Sequence, residues 1–111
     1  MSKARAKGTQ WETQIVRWLN ENGYPGADRS PLRGNKDRGD ITGLPGVCIE
    51  AKNHKQMRLA EWLDQLAAEM VAADADSGVL IVKRAGTTDV GRSYALMPVD
   101  VWLRLLKEAG R

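Results

Sequence analysis

The stretch from Gly39 to Lys52 constrains the fold more than any other part of the chain. It reads Gly-Asp-Ile-Thr-Gly-Leu-Pro-Gly-Val-Cys-Ile-Glu-Ala-Lys. Two short β-branched runs are separated by a turn punctuated by Gly43, Pro45 and Gly46, which predicts two strands folded against each other. Side chains alternate along a strand, so Val47, Ile49 and Ala51 face one way and Cys48, Glu50 and Lys52 the other. Glu50 and Lys52 then lie about 7 Å apart on one face. Folding the first strand back beside the second brings Asp40 to the same patch. Two carboxylates and an ammonium are costly to leave unpaired beside a sheet, and they suit a divalent metal site.

The chain of 111 residues is expected to form one domain, residues 9–111, behind a flexible basic arm at residues 1–8. A hydrophobic fraction of 42% is ordinary for a globular chain and argues against disorder. The single cysteine, Cys48, cannot make an internal disulfide and reads as a small buried strand residue. With no signal peptide, lipidation motif or membrane-length apolar run, a soluble, cytoplasmic protein without a membrane partner is expected. The net charge is +3, and its distribution is uneven. Residues 1–58 carry eleven Lys/Arg against six Asp/Glu, and the remainder six against eight. Positive charge therefore gathers around the candidate metal site, as a phosphate-binding face requires, although a solvated basic surface has the same composition.

Read in order, the arm offers Lys3, Arg5 and Lys7 as phosphate-backbone contacts. A helix follows from Thr9 to about Asn22, with Trp11, Ile15, Trp18 and Leu19 at helical spacing. Glu12, three residues past Thr9, either closes a capping box or looks toward the sheet along the edge of the apolar stripe. Residues 24–38 hold a short edge strand near Ala27–Ser30 and a loop whose Arg33, Lys36 and Arg38 are placed to grip a backbone just before Asp40. After Lys52 comes a polar, basic segment with His54, Lys55 and Arg58. His54, the only histidine, has no zinc-spaced partner and reads as a backbone contact. The helix from Leu59 to about Ala73 carries Leu59, Trp62, Leu63, Leu66 and Met70 on one stripe, with Gln65 one step off it. Val79–Val82 is a continuous apolar run, which predicts a strand covered on both faces. A further strand at about Ser93–Met97 and a helix opened by Pro98, with Val101, Trp102, Leu105 and Leu106 as its stripe, end the chain. The expected architecture is α/β, a mixed five-stranded sheet flanked by helices in the order αβββαββα.

A helix bearing Glu12, then Asp40, nine residues, and Glu50-Ala51-Lys52 resembles the PD-(D/E)XK nuclease superfamily. The chain is most similar there to the small Holliday junction resolvases of archaeal and phage type. The likeness runs through Trp11–Val16, Arg29-Ser30-Pro31, Asp40-Ile41, Ile49–Lys52 and the helix with Gln65, most of residues 9–84. It implies a restriction-endonuclease-like fold and a Mg²⁺-dependent endonuclease, with Mn²⁺ as a substitute. Asp40 and Glu50 would be the metal ligands, with the Ala51 carbonyl as a backbone ligand. Glu12 would complete the acidic cluster directly or through water, and Lys52 would orient or deprotonate the attacking water. Ser30 and Gln65 match further catalytic positions, and Arg29 joins the DNA-binding set. Gly39 stands where the family name has proline, a departure that removes no ligand. Resolution of a four-way junction, leaving 5′-phosphates, implies branched DNA as partner and a homodimer with two sites facing one junction. The alternatives are a nicking, repair or restriction-type endonuclease of the same fold, and a non-catalytic DNA-binding module.

Overall fold

The structure, a computed structural model, describes residues 2–31 and 38–111. These run in the order helix α1 (Lys3–Glu21), strands β1 (Asp28–Arg29), β2 (Ile41–Thr42) and β3 (Val47–Lys52), helix α2 (Leu59–Ala72), strands β4 (Ser77–Val82) and β5 (Tyr94–Leu96), and helix α3 (Val99–Glu108). A 3₁₀ turn at Val90–Arg92 leads into β5. The strands form one mixed sheet in sequence order, with β3 and β4 parallel and the other neighbours antiparallel. Parallel neighbours need a long crossover, and α2 supplies it.

The alternation along β3 sorts the core into two layers. Ile49 is buried with Trp11, Ile15 and Leu19 of α1 and with Ile41, and Val47 and Ala51 pack against the same group. Cys48 is buried on the opposite side, with Trp62 and Leu66 of α2 and Leu80 and Val82 of β4. The apolar run in β4 serves both layers, because Val79 and Ile81 pack toward α1 while Leu80 and Val82 pack toward α2. That double coverage is what a continuous rather than alternating strand sequence requires. Trp11 fastens α1 to the sheet, its indole Nε1–H donating to the Ile81 carbonyl of β4 at 3.1 Å. A buried indole needs such an acceptor.

Two expectations are corrected. The basic arm is not separate from the first helix: α1 begins at Lys3, and Ser2 rather than Thr9 caps it, its hydroxyl accepting from the Arg5 amide at 3.1 Å. Lys3, Ala4, Arg5, Ala6 and Lys7 are all strong helix formers, so they prolong the helix upstream of its apolar stripe. In α3 only Val101 of the expected stripe is buried, whereas Trp102 is 52% exposed. Leu105 and Leu106 are half-buried where α3 lies against β4, and Trp102 falls outside that contact.

Gly39, directly before the candidate acid Asp40, has φ +102°, a conformation disfavoured for L side chains and closed to proline. A Cβ there would stand 3.0 Å from the Ile49 carbonyl oxygen and 3.1 Å from Cys48 Sγ. Gly39→Ala is therefore expected to cost about 1–3 kcal/mol of stability, read as a lower urea midpoint. Glycine at this position lets the chain turn into β2 close against β3.

Candidate functional site

Asp40 is delivered to the sheet by the end of the paired register. The antiparallel ladder between β2 and β3 pairs Ile41 with Ile49. Its extension is made by Asp40 itself: the Asp40 amide donates to the Ile49 carbonyl at 2.7 Å, and its Oδ2 accepts from the Ala51 amide at 2.9 Å. The carboxylate thus takes over a backbone position in the ladder and is pinned beside Glu50. Ser30, at the end of β1, braces the same corner, its hydroxyl donating to the Gly39 carbonyl at 2.9 Å.

A cavity of about 680 Å³ opens at this corner, at the C-terminal end of β3. Among the described residues Asp40, Glu50, Ala51 and Lys52 line it, together with Glu12, Arg5, Arg29, Ser30, His54 and Gln65. The first turns of α1 are one wall and α2 is another. Crevices at the carboxyl ends of parallel strands are the usual ligand sites of open α/β sheets.

Glu50 is the electrostatic centre. Its side chain is 3% exposed, and Oε1 is buried with no hydrogen-bond partner among the described residues. Oε2 lies 3.7 Å from Lys52 Nζ. Burial, then the neighbouring Glu69 carboxyl and the charge of Asp40, push the Glu50 carboxyl far above the ordinary range, with Lys52 opposing. Glu12 is also raised, chiefly by burial, although its Oε1 is held at 3.0 Å by Arg29 Nε. Lys52 Nζ donates to Gln65 Oε1 at 3.1 Å and lies 5.7 Å from the Trp62 ring.

Sequence reasoning missed Glu69. It is 4% exposed, and its Oε1 accepts from Gln65 Nε2 at 3.0 Å. The signal was present as Gln65 and Glu69 at i and i+4, which share one helix face. The apolar stripe alone gave no reason to turn that face inward.

The remaining predicted residues fall in three groups. Arg5, Arg29 and His54 line the cavity, and Lys55 and Arg58 line a smaller basic hollow of about 400 Å³ that shares Lys52, His54 and Gln65 with it. Lys3, Lys7 and Arg38 are exposed and line neither, though the positive charge of Lys7 reaches His54. Burial, then Lys52, Lys7 and Arg58, lower the His54 pKa, which favours a neutral imidazole. Arg33 and Lys36 lie outside the described residues.

The chain matches no family model, no curated protein and no solved structure.

Cys48 is buried behind the cavity, and its thiol is pushed up to about 12 by burial, then by the charges of Glu69, Glu50 and Asp40. It should react with a disulfide reagent far more slowly in the native protein than in urea, a difference readable by absorbance.

Among the described residues no three His, Cys, Asp or Glu side chains stand ready to enclose a metal ion. A Mg²⁺ ion does not need such a cage, because it keeps most of its waters and takes one or two carboxylates. Among the described residues no donor meets Oε1 of Glu50, and a cation there would offset the burial that otherwise keeps this carboxyl protonated. Asp40, Glu50 and the Ala51 carbonyl would together offer hard oxygen, the kind of donor that magnesium or manganese takes.

Proposed function

We propose that this protein is a metal-dependent DNA endonuclease of the PD-(D/E)XK type with a restriction-endonuclease-like fold, acting on four-way junctions as a Holliday junction resolvase. The observation that carries the reading is the convergence of Asp40, Glu50 and Lys52 on one cavity, with a buried Glu50 oxygen that no donor among the described residues meets.

Phosphodiester hydrolysis needs an in-line water, neutralisation of charge on the phosphate and a stabilised leaving oxygen. Asp40, Glu50 and the Ala51 carbonyl are the residues that would hold Mg²⁺ or Mn²⁺, with Glu12 as an outer member through water. When bound, the ion supplies positive charge at the phosphate and lowers the pKa of its water. Lys52, steadied by Gln65 and Glu50, presents its ammonium to the phosphate or to the attacking water. Arg5, Arg29 and His54 supply donors for the flanking phosphates, and Ser30 keeps Asp40 in place through Gly39. Two symmetric cuts require two sites, so the working form is a homodimer. The exposed Val99, Trp102 and Leu103 of α3 are the apolar surface offered for it.

The test is a substrate panel in Mg²⁺: junction, flap, nicked duplex and plain duplex. The resolvase reading expects paired symmetric cuts on the junction alone, with 5′-phosphate ends. Cleavage spread over flap and duplex moves the assignment to a nicking, repair or restriction-type nuclease. Junction binding without cleavage in any divalent cation moves it to a binding module. Light scattering should give a dimer mass at micromolar concentration, and a monomer counts against the resolvase.

A further inference from the structure

We propose that Glu69 is a positioning residue of this site, setting the orientation of the Gln65 amide and through it the place of the Lys52 amine; the role rests on the nuclease reading above. Gln65 and Glu69 are one helical turn apart on α2, and both turn toward the end of β3. A glutamine amide has two unlike ends, an accepting oxygen and a donating nitrogen. Glu69 Oε1 takes the nitrogen at 3.0 Å, so the oxygen is left facing Lys52 Nζ at 3.1 Å. The reversed amide would set NH₂ against NH₃⁺, donor against donor. Glu50 Oε2 at 3.7 Å and the Trp62 ring at 5.7 Å bound the amine from other directions. The amine is therefore held from both β3 and α2, and Glu69 is what makes the α2 hold directional.

Packing gives no reason for a carboxylate at this position. Glu69 is buried beside a layer of Cys48, Trp62, Leu66, Leu80 and Val82, where Leu or Met would fill the space without a polar group to satisfy. Its other oxygen accepts from the weak donor Cys48 Sγ at 4.0 Å, and the Glu50 carboxyl lies beside it and is pushed up by it. Replacing buried charged groups by apolar ones of similar volume is often neutral or stabilising. Keeping one here serves the site.

The experiment compares Glu69→Met, Glu69→Gln and Gln65→Leu with wild type by three readouts: thermal unfolding, junction cleavage kinetics in Mg²⁺, and the side-chain amide resonances of Gln65. Glu69→Met should melt no lower than wild type and lose the protection of the Gln65 amide protons. Its kcat should fall about tenfold or more, with KM inside about twofold. Glu69→Gln, which keeps an accepting oxygen, should recover most of both losses. Gln65→Leu, altered at an exposed position, should match the Glu69→Met loss in kcat, and this arm stands even where Glu69→Met fails to fold. Unchanged Gln65 resonances in Glu69→Met, or unchanged kcat in either Glu69→Met or Gln65→Leu, overturns the proposal. A wild type that cuts no DNA overturns the nuclease reading and the catalytic consequence together. An active wild type with an unprotected Gln65 amide overturns the role of Glu69 alone.

Discussion

Glu50→Gln is expected to raise the melting temperature of the protein in EDTA at pH 7 while abolishing DNA cleavage. In the folded chain the Glu50 carboxyl holds its proton well above the usual 4.5, mainly because burial disfavours the charged form. A group with a raised folded pKa binds protons more tightly when folded, so stability is greatest below pH 4.5 and declines as pH rises from there toward the folded value. At about 1.4 kcal/mol per pH unit, the cost at pH 7 reaches at most about 3 kcal/mol. Glutamine has no charge to bury and escapes that decline. A gain of order 5–10 °C follows for a domain of this size. Mn²⁺ should raise the wild-type melting temperature, increasingly so at higher pH because binding competes with the Glu50 proton, and should leave the variant unmoved. Differential scanning calorimetry between pH 5 and 8 measures all of this. A variant that melts at or below wild type in EDTA would remove the electrostatic account of the site.

The largest loss of activity is expected from Asp40→Asn, at constant fold. An asparagine oxygen can still accept from the Ala51 amide, so the corner between β2 and β3 should close as before. The negative charge is gone, and with it most of the hold on a divalent cation. Several kcal/mol of transition-state stabilisation correspond to a rate about 10³-fold lower or worse. Junction affinity, measured in EDTA so that no cutting interferes, should change less than about threefold, because the cationic lining is intact. Single-turnover cleavage and a binding titration separate these outcomes. Equal losses in binding and cleavage would make Asp40 a structural residue only.

Much of this was legible in the chain because β3 states its own orientation. Alternation alone put Ile49 in one layer and Cys48 in the other, and the core divides that way. The unbroken run in β4 similarly announced a strand covered on both sides. The convergence of Asp40, Glu50 and Lys52 followed from one hairpin, since short-range geometry fixes short-range neighbours. What depended on distant contacts was not legible. The Glu12 carboxylate meets Arg29, seventeen residues on, and a capping pattern in the sequence could not reveal that. Glu69 was not legible because nothing local says that α2 leans its 65/69 face onto the end of β3. The early start of α1 was missed for a different reason. Helix propensity in Lys3–Lys7 extends the element beyond its apolar stripe and past Thr9, the capping residue that stands just before that stripe.

The most direct test is to incubate a synthetic four-way junction, labelled on each strand, with wild type in Mg²⁺, with wild type in EDTA, and with Asp40→Asn in Mg²⁺. The account predicts symmetric 5′-phosphate products in the first reaction and none in the other two. Cleavage that survives EDTA or the Asp40 substitution, or a wild type inert in both Mg²⁺ and Mn²⁺, would contradict it.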